Sequence, residues 1–245
     1  MGFILPVILL LLHSFKTSYH QDWSILLNIV WNTILISGLG AISIILISSS
    51  TAIISFYKGS KILNKFTDLA STGYAFPGTM LSIGVLVFAG FIDKSYVSSM
   101  NLITDNSKFG LLNGTVIILL LAYIARFQAV GYGSIRSGLT QVSENLIDAS
   151  YTMGKSFTET LTQIILPLIK TSIIAGGLLA FVDIMKELPM TLLLRPFNFE
   201  TLATYTYQFA HDELIEQASL PALLIILAGL IPVIFMNKFL RDIKI

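Results

Sequence analysis

The chain has 245 residues, 54% hydrophobic and 12% charged, with a formal net charge of +1. Soluble domains carry roughly 25% charged residues, so this balance excludes a soluble globular chain and points to an integral membrane protein. Near-neutral charge gives no electrostatic footprint for nucleic acid. The lack of cysteine excludes disulfides, thiolate metal sites and cysteine nucleophiles, and three histidines (His13, His20, His211) outside any HExxH pattern leave no metal site and no catalytic residues to expect.

Apolar runs and polar punctuation predict six membrane helices, at about 2–15, 29–56, 68–92, 111–127, 170–192 and 217–238. The first opens MGFILPVILLLLHSF. It lacks a basic n-region and a cleavage site, so it does not read as a signal peptide. Its apolar stretch is shorter than the ~20 residues that span a bilayer. The second is rich in Gly, Ala and Ser, which lets helix backbones approach closely in lipid. Within the third, Pro77 and Gly78 predict a kink, read either as structural or as a hinge.

The basic residues set an orientation. Placing the N-terminus inside gathers Lys58, Lys61, Lys65, Arg126, Arg136, Lys155, Lys170, Lys238, Arg241 and Lys244 on the cytoplasmic side, against Lys16, Lys94, Lys108 and Arg195 on the other. The exported loops would be 16–28, 93–110 and 193–216, with Asp22, Asp93, Asp105, Glu200, Asp212, Glu213 and Glu216. This predicts a multi-pass protein with both termini in the cytoplasm.

The longest stretch without a span, 128–169, contains SENLIDASYTMGKSFTETLTQIILP. Ser143 is placed as an N-cap, with Glu144 in the first turn where the helix dipole favours an anion. Leu146, Ala149, Ser150 and Met153 follow at helical spacing as a mildly apolar face. Gly154 suits the left-handed residue that ends a helix. Ser156 and Glu159 form a capping box for a second helix, which Pro167 would break or redirect near Ile165. Such a segment either docks in a partner's groove or lies in the headgroups.

The stretch DASYTMGKSFTETLTQIILP resembles the EAA motif of permease subunits of binding-protein-dependent ABC importers. Asp148, Ala149 and Ser150 take the E-A-A places, and Gly154, Ile164, Leu166 and Pro167 fall at matching spacing. Asp148 for Glu and Ser150 for Ala depart from the motif. GYAFPGTMLSIG, LLAYIARFQAVGYGSIRSGLTQV and MKELPMTLLLRPFNFETLATYTYQ look like the ferric-iron branch, in the C-terminal half of its usual two-half permease. The opening GFILPVILLLL resembles the place where that second half begins, so the chain reads as a split half or a piece of a longer protein.

The resemblance implies a single permease domain over 1–245 with core helices about 29–238. The fold would be all-α, of the type I (MetI-like) ABC importer class, in a bacterial inner membrane. Residues 143–167 would form a cytoplasmic coupling helix, with Glu144, Asp148, Ala149, Gly154, Leu166 and Pro167 meeting an ATP-binding cassette subunit dimer. Implied partners also include a second permease half or copy, a periplasmic iron-binding protein and membrane lipid. The chain has no GxxxxGK[ST], so no cofactor is expected on it, and ATP is expected at the partner subunit. Other cargoes (thiamine, another metal complex, an oxyanion) and an ion-coupled secondary transporter using Asp183 and Glu187 are the alternatives.

In the fifth span, FVDIMKELPMTLLL carries Asp183, Lys186, Glu187 and Pro189. At 1.5 Å per residue the charges lie roughly 20–26 Å beyond Lys170, well inside a ~30 Å core. Spacings of three and four let them crowd to one side. Intramembrane charges face the bundle interior or a wet cavity and pair with each other. They are read either as lining or gating the translocation pathway, or as an internal Asp183–Lys186 pair with Glu187 capping a break. Pro189 is expected to disturb the helix. Tyr205, Tyr207, His211, Asp212 and Glu213 in the last exported loop are possible ferric ligands, but their spacing favours a solvated helix or a docking surface.

Overall fold

The computed structural model describes residues 2–17, 22–58, 65, 67, 69, 72–101 and 111–242, and all its regular structure is helical. Helix α1 (Ile4–Thr17) is followed by α2 (Trp23–Lys58), a short turn of 3₁₀ helix (Thr72–Ala75), α3 (Gly78–Asn101) and α4 (Val116–Leu139). Then come α5 (Glu144–Thr152), α6 (Phe157–Thr160), a π-helical segment (Leu161–Ile165) and α7 (Leu166–Met185). Helices α8 (Pro189–Leu194), α9 (Leu202–His211) and α10 (Ile215–Asp242) complete the order.

Among the described residues four helical runs are long and apolar enough to cross a membrane: Trp23–Tyr57, Gly78–Ser99, Val116–Leu139 and Phe157–Met185. Two shorter apolar helices, Ile4–Lys16 and Ile215–Ile231, lie within α1 and α10, which pack on each other. Each of the six apolar runs of the sequence therefore contains a helix, but several extents change. The fourth shifts from 111–127 to Val116–Leu139, which moves Arg126 from a cytoplasmic flank to the middle of a membrane helix. The third runs to Asn101 rather than 92, so Asp93 is not in a loop. It is 7% exposed, and its carboxylate accepts the N–H groups of Leu111 and Leu112 (2.7 and 2.9 Å) and of Asn113 (2.9 Å). Lys61, Asp105, Lys108 and Lys244 lie outside the described residues.

Pro77 does not kink a helix. It immediately precedes the first residue of α3, and its carbonyl accepts the N–H of Leu81 at 3.1 Å. A proline there loses nothing, since the first N–H groups of a helix have no intrahelical partner. Pro167 does not stop its helix either. It lies at the start of α7 behind the π segment, where the Leu166 N–H reaches back five residues to the Leu161 carbonyl. The wider turn lets the chain pass a residue that has no N–H to give.

Helices α2, α4 and α7 form the central three-way packing. One buried cluster joins Ile36 and Ile44 of α2, Leu119, Tyr123 and Phe127 of α4, Ala180 and Ile184 of α7, and Met190 and Leu194 of α8. Close approach depends on small residues: a Cβ on Gly131 of α4 would stand 2.6 Å from Ser48 Oγ of α2. A second cluster, with Ile135, Leu139, Ile165 and Ile169, supports the end of the bundle that carries α5. Much of the remaining surface is apolar, as on α3, where Val87 and Phe91 are 70% and 71% exposed.

Candidate functional site

Two regions of the sequence carried functional expectations, and they occupy opposite ends of α7. At its start, α5 and α6 have the geometry that local sequence physics predicts. Gly154 adopts φ +82°, and its N–H donates to the Tyr151 carbonyl (2.9 Å) while the Lys155 N–H donates to the Ser150 carbonyl (3.1 Å). Together these bonds form a Schellman motif, which satisfies carbonyls at the end of α5. The capping box is present: the Ser156 N–H donates to Glu159 Oε2 (2.7 Å), and the Glu159 N–H donates to Ser156 Oγ (3.4 Å). Ser143 occupies the N-cap position with extended backbone, yet its hydroxyl makes no capping bond.

The predicted apolar face of α5 is divided. Leu146, Ala149 and Met153 are exposed, Met153 by 79%, whereas Ser150 is buried. The apolar anchor is Ile147, which joins the second core cluster. Ser150 Oγ meets Thr160 Oγ1 at 2.8 Å, tying α5 to α6. Tertiary contact, not periodicity alone, chose which stripe turns inward. As a result Glu144, Asp148, Ala149 and Gly154 all face outward, Pro167 is exposed and Leu166 is half-buried.

At the far end of α7 the helix stops at Met185, with Lys186 as its C-cap (φ −94°, ψ 0°). Pro189 then begins α8 instead of disturbing a continuous helix. The expected single crowd of charges is two pairs. Lys186 Nζ lies 2.8 Å from Asp183 Oδ1, with Lys186 61% and Asp183 19% exposed. Glu187, 9% exposed, lies 3.5 Å from Arg126 Nη1 of α4. Its Oε1 also accepts the Met190 N–H (3.3 Å), and its backbone carbonyl accepts Thr191 Oγ1 (2.6 Å). Thr191 Oγ1 in turn meets Tyr123 OH at 2.5 Å. Glu187 thus caps the new helix and faces a cation the sequence reading placed elsewhere. The missed signal was length: a span of 111–127 is short for a bilayer, and extending it brings Arg126 inside.

Gly78 belongs to the same neighbourhood. A Cβ there would stand 2.0 Å from Arg126 Nη1, 2.9 Å from Glu187 Oε1 and 3.2 Å from Met190 Cγ. The loop candidates do not assemble. Tyr205 stacks edge-on against Phe209 (4.8 Å) beside the third core cluster, and Tyr207 lies against His211 (5.8 Å). His211 pairs with Asp212 at 3.4 Å, while Glu213 takes φ 60° at the end of α9. Among the described residues no three of His, Asp and Glu group to hold a metal.

Comparison with known proteins places this architecture. Residues 44–244 match the family described as "Binding-protein-dependent transport system inner membrane component". The Fe(3+)-transport system permease protein FbpB 2 of Haemophilus influenzae is 24% identical over 218 residues, covering 89% of this chain. The chain spans 40% of that protein's length. The probable transport system permease protein NifC of Clostridium pasteurianum is 23% identical over 236 residues, covering 94% of this chain and 78% of that one. Among solved structures, a bacterial alginate ABC transporter in complex with an alginate pentasaccharide-bound periplasmic protein superposes with TM-score 0.73 at 16% identity, over 98% of this chain and 89% of that one. The MetNI methionine ABC transporter gives 0.62 at 15%, over 89% and 95%. These likenesses show the fold, and the family match covers most of the sequence: the chain belongs to the inner membrane permease components of binding-protein-dependent transport systems.

Proposed function

We propose that this permease moves iron(III), delivered by a periplasmic binding protein, into the cytoplasm, driven by a separate ATP-binding subunit dimer. The observation that carries the energy-coupling part is α5 itself. It is a short helix pinned by Ile147 and Ser150, closed by Gly154, and exposing Leu146, Ala149 and Met153. A fixed amphipathic helix with its apolar residues outward suits a groove on a partner. Asp148, Ala149 and Gly154, on that outward side, are the residues assigned to contact, and the 143–167 segment then lies in the cytoplasm with both chain termini. The partner permease is a second half or a second copy.

Iron as cargo is supported by the Fe(3+)-transport relative and by the stretch from Met185 to Gln208 that resembles that branch. Asp183, Lys186, Glu187 and Pro189 are assigned to the pathway or its gate, without direct metal capture. A tight intramembrane cage would oppose release of an ion that must also leave. The test is uptake by cells that depend on this chain, with ferric iron, thiamine, molybdate and sulfate offered in parallel. ATP-dependent uptake of iron alone, with an ATP-binding subunit co-purifying, is the expected result. Uptake of another member of the panel would replace the cargo, and uptake without any ATP-binding subunit would overturn the mechanism.

A further inference from the structure

We propose that Arg126, Glu187 and Gly78 form an intramembrane latch that keys the α7–α8 break to the start of α3, and that its release opens this seam to water during transport. Arg126 is the positioning residue. Three separate elements meet here: α4 supplies the guanidinium, the non-helical step between α7 and α8 supplies the carboxylate, and α3 supplies a Cα without a side chain. The place matters, because residues 186–188 are the one non-helical step in the run from Phe157 to Leu194. A step of this kind rearranges without unravelling a helix.

The bonding at the junction is sparse for a charge pair in a membrane. A well-made guanidinium–carboxylate contact has N–O distances of about 2.7–2.9 Å and is often doubled. Here a single contact of 3.5 Å is present, and Arg126 Nε is buried without an acceptor among the described residues. A buried cation left short of acceptors is costly. Close packing, not saturated hydrogen bonding, therefore holds the closed arrangement. Gly78 permits that packing, since any Cβ would collide with Arg126 Nη1. Little bonding is lost when such a contact parts, and the freed charges gain from hydration. One turn on along α3, Ser82 is fully buried, its Oγ donating to the Gly78 carbonyl (2.7 Å).

The chain contains no cysteine, so one introduced thiol reports on the seam. Ser82→Cys is placed in the full chain, and membrane vesicles are treated with a membrane-impermeant methanethiosulfonate reagent. Adding Gly78→Ala, which changes no charge, or Arg126→Gln is expected to raise the labelling rate about tenfold as the open population grows. The melting temperature of the Gly78→Ala protein should stay close to that of the Ser82→Cys parent, whereas Arg126→Gln, which leaves Glu187 without its counter-charge, should melt at a lower temperature but still cooperatively. An unchanged labelling rate in both variants overturns the latch. So does faster labelling accompanied by loss of a cooperative melt in both, which would make the junction a folding element. If Arg126→Gln does not insert, Gly78→Ala decides alone: faster labelling with an intact melt supports the latch, and any other result overturns it.

Discussion

The two ends of α7 solve opposite problems. At the α5–α6 end, each turn is closed by local bonds: a Schellman pair at Gly154, a reciprocal cap at Ser156 and Glu159, and a hydroxyl bridge from Ser150 to Thr160. At the α7–α8 end, the chain breaks, and what holds it comes from elsewhere in the sequence: Arg126 and Tyr123 of α4, and Gly78 of α3. The turns of the first end are closed by neighbours in sequence, with Ile147 anchoring it to other helices, and it presents apolar side chains outward. The second is shaped by long-range contacts and turns charge inward. Local closure makes a firm surface, while distant closure makes a junction that can come apart.

The largest expected break in this contrast is at Gly154. A β-branched valine at φ +82° costs roughly 1–3 kcal/mol of backbone strain and disturbs the turn that fixes α5. Gly154→Val is expected to abolish transport and recruitment of the ATP-binding subunit while the chain still inserts in the membrane. Pull-down of that subunit, together with uptake, checks it, and retained recruitment with normal uptake would remove α5 from the coupling role. Next comes Glu187→Gln. The amide keeps the cap on Met190 but leaves Arg126 without a counter-charge. Uptake should fall about tenfold, with the complex still assembled, because removing one member of a buried pair costs several kcal/mol in whichever state contains it. Wild-type uptake in the assembled variant would reduce Glu187 to a cap. The smallest effect is expected at Asp183→Asn. Its partner Lys186 is 61% exposed, so neutralising Asp183 does not leave a cation sealed inside the bundle. Melting should hardly move, so a large loss of uptake in this variant would mark Asp183 as a pathway residue independent of the pair.

The same contrast explains what was legible in the sequence. Gly154, Ser156 and Glu159 could be read because a left-handed glycine and a capping box involve residues three or four apart. Ile147 could not be separated from Leu146 and Met153 as the inward anchor, because the choice is made by Ile135, Leu139 and Ile165 of other helices. Pro77 and Pro189 predict disturbances inside continuous spans, yet Pro77 immediately precedes α3 and Pro189 begins α8, because apolar composition continues across both and hides the boundary. Arg126 was misplaced for a related reason. Polar punctuation marked the end of its helix, whereas the helix runs on through Arg126 to Leu139. The charges at 183–187 were legible as a functional candidate, but the division into two pairs depended on α4.

The π segment at Leu161–Ile165 has a mechanical consequence. Because the chain passes Pro167 without a stop, Phe157 to Met185 is one 29-residue run, about 43 Å long at 1.5 Å per residue. No flexible tether separates the base of α5 from the α7–α8 break. If α5 is the coupling element proposed above, a push or tilt applied there would be carried along this run to the α7–α8 end. The wider turn near its base, where the Leu166 N–H reaches the Leu161 carbonyl, is the one departure from α-helical bonding along that shaft.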